Sequence, residues 1–163
     1  MRKRLCIFLI LSICLMSLFA DESSEYVIRK VKWGYTPDQV QQAEKMPGKF
    51  GSYETDAFLE YTVKFGDNTA ILNYFFIPLY GLVGIDYFIE CSTALKAENF
   101  QKKVLEKLLS KYGESTETEP LRYSIETQST LIQAFFADTK DSGPLYSGMS
   151  YRSKQALNTE LEL

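Results

Sequence analysis

The fold is decided by three segments in which apolar and polar residues alternate. Residues 58–65 read FLEYTVKF, residues 69–77 read TAILNYFFI and residues 82–91 read LVGIDYFIEC. Every second residue from position 59 to position 65 is apolar, which is the period of a strand with one buried and one solvated face. The letters GDN and PLYG that separate the segments favour turns. The sequence therefore predicts a meander of three antiparallel strands.

A helix is predicted on each side of this meander. Before it, Thr36 is a good N-cap and Gln39 completes a Thr-x-x-Gln capping box, so a helix is expected over residues 37–46. After it, residues 97–112 carry apolar side chains at helical spacing, and Gly113 ends that helix.

The order of elements then repeats. Three more strands are predicted, at residues 121–127, 130–137 and 145–152. Helix plus three strands thus occurs twice, which suggests a duplication with units 33–92 and 93–152. We expect one α+β domain over residues 33–152, with two helices packed on an antiparallel sheet that is continuous or split in two. The tail, residues 153–163, has no packing pattern and is expected to fray.

The first twenty residues differ from the rest of the chain. Basic residues at positions 2–4 precede an apolar run, and the small residue Ala20 is followed by acidic residues. This order is typical of a secretory signal peptide cleaved after Ala20. We therefore expect an exported protein, periplasmic or associated with the cell envelope, whose residues 21–32 form a leader segment.

Two alternatives would keep the chain on a membrane. An uncleaved anchor is one, although the apolar run is shorter than the about 18 residues that span a bilayer. Lipidation at Cys14 is the other, where LSIC departs from a bacterial lipobox because Ile13 is bulky.

Composition excludes several classes of function. The chain has 163 residues, 18 basic and 21 acidic side chains, and no histidine, so His-dependent nucleophile systems and His-ligated zinc drop out. Removing residues 1–20 leaves 15 basic against 21 acidic residues, and this acidic domain has no electrostatic attraction to nucleic acid. Cys91 alone remains of three cysteines, so no internal disulfide is expected.

The candidate catalytic groups have spacings that do not favour catalysis. Asp86 and Glu90 share one face of a predicted strand, but they lie about 13 Å apart at about 3.3 Å per residue, and we expect both to be solvated. Cys91 falls on the apolar face and is expected to be an inert buried thiol. The sequence has no calcium-loop spacing and no glycine-rich phosphate loop. No catalytic residue, metal or cofactor is predicted.

Aromatic residues are the remaining distinctive feature. The chain has eleven Tyr and one Trp, and rings with one polar end suit contact surfaces. Four of them lie next to predicted turns or element ends and are the candidate binding residues: Trp33, Tyr35, Tyr80 and Tyr146. Packing at the edge of the core is the alternative role for each.

Two motifs carry a resemblance to known proteins. Residues 33–40 read WGYTPDQV with Glu44 beyond them, and residues 111–113 read KYG. This pattern resembles small exported bacterial proteins, largely uncharacterised, that carry a W-G-x-[ST]-x-x-x-V…E helix. The helix-plus-meander unit is more remotely similar to the outer-membrane assembly lipoproteins of the SmpA/OmlA type and to beta-lactamase inhibitory protein. The two remoter resemblances imply action by binding other proteins, without a catalytic centre.

The functional expectation follows from export, the missing catalytic groups and the aromatic content. We expect a non-catalytic domain that binds an envelope protein or peptide through its sheet face or loop ends. The alternative is a carrier or sensor of a small apolar ligand held between helices and sheet, which the apolar residues 74–88 favour. An enzyme that uses only carboxylates and tyrosines is a third reading.

Overall fold

The structure is a computed structural model, and it describes residues 29–53, 56–119, 121–138 and 145–160. The predicted signal peptide, with Cys14, and most of the leader segment lie outside these ranges.

The described chain forms helices and strands in the order α1 (Pro37–Glu44), β1 (Lys49–Tyr53), β2 (Asp56–Phe65), β3 (Asn68–Ile77), β4 (Gly81–Cys91), α2 (Ala94–Tyr112), β5 (Thr116–Glu119), β6 (Arg122–Glu126), β7 (Thr130–Asp138), β8 (Leu145–Ser153) and α3 (Lys154–Glu160). All these strands belong to one antiparallel sheet of order β1-β2-β3-β4-β8-β7-β6-β5. The expectation of an α+β domain with an antiparallel sheet is confirmed. The domain is mainly sheet, however, and has a third helix.

Each helix-plus-strand unit contains one strand more than predicted. The additional strands, β1 and β5, are the two edges of the sheet. An edge strand lies at the margin of the sheet and pairs with one neighbour only. β5 reads TETE and is polar throughout, and β1 contains Gly51, which faces the ring of Phe58. Neither sequence carries the apolar alternation from which strands were predicted.

The start of the second unit and the tail that follows it also differ from expectation. α2 begins at Ala94 rather than Ala97 because the Thr93 hydroxyl accepts a hydrogen bond from the Lys96 amide at 3.2 Å. The tail that was expected to fray instead contains α3, in which Ala156 is buried and its amide donates to Ser153 Oγ at 3.4 Å. A single buried alanine and a serine cap are too weak a pattern to predict a helix from sequence alone.

One side of the sheet, which we call the core face, carries the hydrophobic core. Residues directly opposite each other on neighbouring strands share a face. One such row crosses the centre of the sheet through Tyr61, Leu72, Tyr87, Met149 and Ala134, and each of these is at most 4% exposed. The helices α1 and α2 add side chains to this core: Val40 from α1, and Val104 and Leu108 from α2.

Glu44, at the end of α1, fixes that helix to the core face. Its carboxylate accepts a hydrogen bond from the buried Tyr74 hydroxyl and pairs with Arg29, whose Nε lies 2.9 Å from Oε1 and whose Nη2 lies 2.7 Å from Oε2. The Glu44 side chain is only 2% exposed. Burial and the hydrogen bond to Glu44 both raise the pKa of Tyr74, so its phenol stays protonated and donates. The glutamate of the sequence motif is therefore a packing residue.

We expect Glu44→Ala to lower the free energy of unfolding by about 2–3 kcal/mol, because the Tyr74 hydroxyl would be buried without an acceptor. Urea unfolding followed by circular dichroism measures this. Glu44→Gln should cost less, since its amide oxygen still accepts. Gln42→Ala, an exposed position on the same helix, is the matched control. If Glu44→Ala costs no more than Gln42→Ala, Glu44 does not fix the helix.

Candidate functional site

Three of the four predicted binding residues are held at one end of the sheet by backbone pairing. The Gly34 amide donates to the Leu82 carbonyl at 2.9 Å, and the Leu82 amide donates to the Tyr35 carbonyl at 2.8 Å. Gly81 lies under this pairing with φ +67°, and a Cβ there would be 2.3 Å from the Gly34 carbonyl oxygen. Trp33 and Tyr35 therefore lie beside the turn that carries Tyr80.

The three side chains have different environments. Trp33 is half-buried against the core, and its Nε1 donates to Thr130 Oγ1 at 3.1 Å. Tyr35 also packs half-buried against the core. Tyr80 is 41% exposed. Of these three, only Tyr80 is exposed.

Tyr146 lies elsewhere. It is paired with Glu90, near the far end of β4. Glu90 is ten residues from Tyr80, which corresponds to about 33 Å at about 3.3 Å per residue. Its ring meets Phe88 with centroids 6.3 Å apart. The four candidate residues thus do not form one surface.

We expect Gly81→Ala to destabilise the protein more than Gly66→Ala. Both glycines have positive φ, which strains an alanine by about 1–2 kcal/mol. Gly66 has open space around it, whereas Gly81 lies against Gly34. Only Gly81→Ala should therefore push the segment of Trp33 away and shift the emission of this single tryptophan to the red. Equal unfolding free energies and unchanged emission would contradict the close approach.

The side of the sheet opposite the core face carries a set of aromatic rings, and we call it the aromatic face. Its half-buried aromatic residues are Phe58, Phe75, Phe88, Phe135 and Tyr146. Phe88 and Phe135 lie on strands that are not neighbours, yet their centroids are 5.8 Å apart. Gly148, between them on β8, makes this possible, because a Cβ there would be 2.7 Å from the Phe135 ring.

An ion pair lies at the centre of the aromatic face. Arg152 donates to both carboxylate oxygens of Asp86, with Nη2 2.9 Å from Oδ2, and its guanidinium lies 5.5 Å from the centroid of the Phe75 ring. Gly84, between Phe75 and Arg152, leaves room for this arrangement. Asp86 is 6% exposed, so the prediction that it is solvated was wrong, whereas Glu90 is exposed as predicted.

A polar row runs across the same face beside the ion pair. Its members, each opposite the next, are Asn73, Asp86, Ser150, Gln133 and Ser124. Gln133 Nε2 donates to Ser124 Oγ at 3.3 Å, whereas Asn73 Oδ1 is buried without a hydrogen-bond partner among the described residues. The aromatic face thus combines rings, a buried charge pair and unused hydrogen-bonding capacity.

Sequence reasoning missed this face although two signals pointed to it. Phe58 and Phe88 occupy the alternating positions of their strands that are otherwise mostly polar. An apolar ring at such a position indicates that it packs against other groups on that face. Glycines inside strands, such as Gly84 and Gly148, mark places where another group approaches closely.

A groove lies on the core face between α2 and the sheet. The sheet is about 34 Å wide at about 4.8 Å per strand, and a helix with its side chains is about 10–12 Å wide, so two helices leave part of the face uncovered. α2 packs mainly over β7 and β8. The groove has a volume of about 740 Å³, and its floor consists of Phe65, Ile89, Cys91, Phe100 and Val104.

Cys91 lies in this groove and is only partly buried, which differs from the fully buried thiol that was expected. Burial still raises the pKa of its thiol, so the reactive thiolate is disfavoured at neutral pH.

The chain was compared with protein-family models, with curated proteins and with solved structures, and none of these comparisons found a match. Over the described ranges, no helix has the length and apolar character needed to cross a membrane. In the same part of the chain, His, Cys, Asp and Glu residues form no group of three that could hold a metal ion.

Proposed function

We propose that this protein is a non-catalytic, exported domain of the periplasm or cell envelope that binds a partner protein through its aromatic face. The observation that carries the proposal is the cluster of five half-buried aromatic residues around the Asp86–Arg152 pair. The signal-peptide pattern of residues 1–20 supports export.

The composition of the aromatic face supports protein binding. Aromatic residues and arginine are enriched at the centres of protein interfaces, where they dominate the binding energy. Contact with a partner would remove water from these rings.

The helix-plus-strand arrangement also fits the proposal. The SmpA/OmlA-type lipoproteins and beta-lactamase inhibitory protein, which the sequence pattern remotely resembles, are built from helix-plus-meander units and act by binding proteins. The described chain has one helix and four strands in each of its two units. This support concerns the class of function and does not identify the partner.

We expect Ile71→Glu to weaken partner binding and Leu95→Glu to leave it unchanged. Ile71 is 38% exposed on the aromatic face beside Phe88, whereas Leu95 is 66% exposed on α2. A charge buried at an interface should weaken binding at least about tenfold. The measurement is affinity purification of the tagged, full-length protein from crosslinked cell envelopes, with thermal melting to check that both variants fold.

A protein recovered equally with wild type and with Ile71→Glu would contradict binding through the aromatic face. Recovery of no protein with wild type would contradict the proposed function itself.

A second candidate function is the carriage of a small apolar ligand in the groove beside α2. The observation that favours it is the apolar floor, in which Ile89 and Val104 belong to the core and are at most 4% exposed, yet line the groove. A volume of about 740 Å³ lies within the ~300–1,000 Å³ of small-molecule sites.

We expect wild-type protein to co-purify with an apolar small molecule in native mass spectrometry. Asn99→Trp should lose this molecule because Asn99 lines the groove and the indole would fill it. Glu98→Trp is the matched control, because Glu98 is exposed and precedes Asn99 in the chain but does not line the groove. Absence of any bound mass in wild type, or its retention in Asn99→Trp, would count against the second function.

A further inference from the structure

A second groove lies on the core face at the end of α2, and we call it the Trp33 groove because that side chain lines it. It has a volume of about 1030 Å³. Its floor consists of Ile132 and Tyr151, which are paired on β7 and β8 and are at most 3% exposed. Its walls come from the segment before α1, the last turn of α2, the turn between β6 and β7, and α3.

Hydrogen bonds join these walls to one another. Trp33 Nε1 donates to Thr130 Oγ1 at 3.1 Å. The Lys154 amide donates to the Ser129 carbonyl at 3.0 Å, and the Lys154 ammonium donates to the Thr127 carbonyl at 3.3 Å. All of these contacts are made within the protein, so the groove keeps its shape without a ligand. A site that is formed in advance lowers the ordering cost of binding.

The walls of the Trp33 groove carry positive charge. Among the described residues that line it are Lys32, Lys111 and Lys154, and none of the described lining residues is Asp or Glu. The whole chain differs, since its 21 acidic residues outnumber its 18 basic ones. Lys154 pairs at 2.9 Å with Glu126, which does not line the groove. Anionic groups of a ligand would therefore meet lysines without a carboxylate among these lining residues.

Lys111 is the lysine best placed for a ligand. It forms no ion pair with another described residue. Its ammonium lies 4.7 Å from the centroid of the Tyr112 ring, which also lines the groove. A ligand could therefore pair with Lys111 without displacing an existing salt bridge.

Side-chain amides and aromatic rings line other parts of the walls. Gln128 and Asn158 are exposed, and their amides form no hydrogen bond with another described residue. An amide both donates and accepts, which suits a sugar hydroxyl because that group also does both. Trp33 and Tyr112 add half-buried rings, which present apolar surface. The groove thus combines cations, amides and aromatic surface.

We propose that the Trp33 groove binds an anionic saccharide. The carboxylate or phosphate of the saccharide pairs with Lys111, its hydroxyls form hydrogen bonds with Gln128 and Asn158, and a sugar ring packs against Trp33. The site is separate from the aromatic face and from the groove whose floor contains Phe65. The inference therefore goes beyond both functions proposed above.

The mixed character of the walls favours a saccharide over other anions. A small carboxylic acid would pair with lysine but would leave the amides and rings without contacts. An anionic amphiphile needs a long apolar floor, whereas this floor has two residues, both almost fully buried. An acidic peptide is the strongest competitor, because its backbone also donates and accepts, and the experiment includes one.

The experiment titrates five probes into the full-length chain and follows the fluorescence of Trp33, its single tryptophan. The probes are trigalacturonate, glucose 6-phosphate, the neutral methyl ester of trigalacturonate, tricarballylate and the peptide triglutamate. A sugar that covers Trp33 should shift its emission to the blue and reduce its quenching by acrylamide.

We expect one of the two anionic sugars to bind at least about tenfold more tightly than the neutral ester, because a charged group is lost in the ester. The same sugar should bind more tightly than tricarballylate and triglutamate. Comparison of trigalacturonate with glucose 6-phosphate then shows whether the groove prefers a carboxylate or a phosphate. Added salt should weaken binding of the anionic sugar and leave any binding of the neutral ester unchanged.

Variants test the charge and the amide separately. Lys111→Gln should weaken binding of the preferred anionic sugar about two- to fivefold, the size expected for one exposed ion pair. Lys102→Gln, which changes an exposed lysine of α2 that does not line the groove, is the matched control and should have no effect. Asn158→Ala should weaken binding of the anionic sugar at low and at high salt alike, because it removes a neutral hydrogen bond.

Three results would overturn the inference. One is equal binding of the neutral ester and the anionic sugars, or equal affinities of Lys111→Gln and Lys102→Gln. Another is tighter binding of tricarballylate or triglutamate than of both anionic sugars. The third is unchanged emission and quenching of Trp33 with every probe, while circular dichroism shows a folded chain.

Discussion

The pairing of β4 with β8 is the contact on which the rest of the molecule depends. These strands end the two helix-plus-strand units and pair along eight residue positions, from Gly84 opposite Arg152 to Cys91 opposite Leu145. Their pairing turns two four-stranded sheets into one sheet of eight strands. It also places Asp86 near Arg152 and Tyr87 opposite Met149, so both faces of the sheet depend on the same backbone ladder. A shift by one residue would exchange the two faces.

Much of the fold could be predicted because its signals are local. The Thr36–Gln39 capping box is present with both hydrogen bonds, and Leu59, Tyr61 and Val63 are buried in alternation as their period indicates. Such signals lie within one helix turn or one strand. The edge strands β1 and β5, which read KFGSY and TETE, lack an alternation of apolar and polar residues.

The candidate sites could be predicted only in part because their partners are far apart in sequence. Asp86 is buried by pairing with Arg152, 66 positions later, and no spacing rule connects the two. The aromatic pair of Phe88 and Phe135 likewise depends on Gly148 in a third strand. Trp33 and Tyr35 were correctly placed beside a turn, but the backbone pairing with Leu82 turns their rings toward the core. Local sequence patterns therefore predict the element in which an aromatic residue lies better than they predict which aromatic residues share one surface.

The two edges of the sheet bear on how the chain behaves at high concentration. An unpaired edge strand can join the edge of another molecule, which is a common start of aggregation. Two of the four residues of β5 are glutamates, so pairing of this edge with its own copy would bring like charges together. β1 contains Lys49, whose ammonium pairs with Glu60, and the exposed ring of Phe50. The β1 edge is therefore the weaker barrier, and association between copies of this chain would begin there.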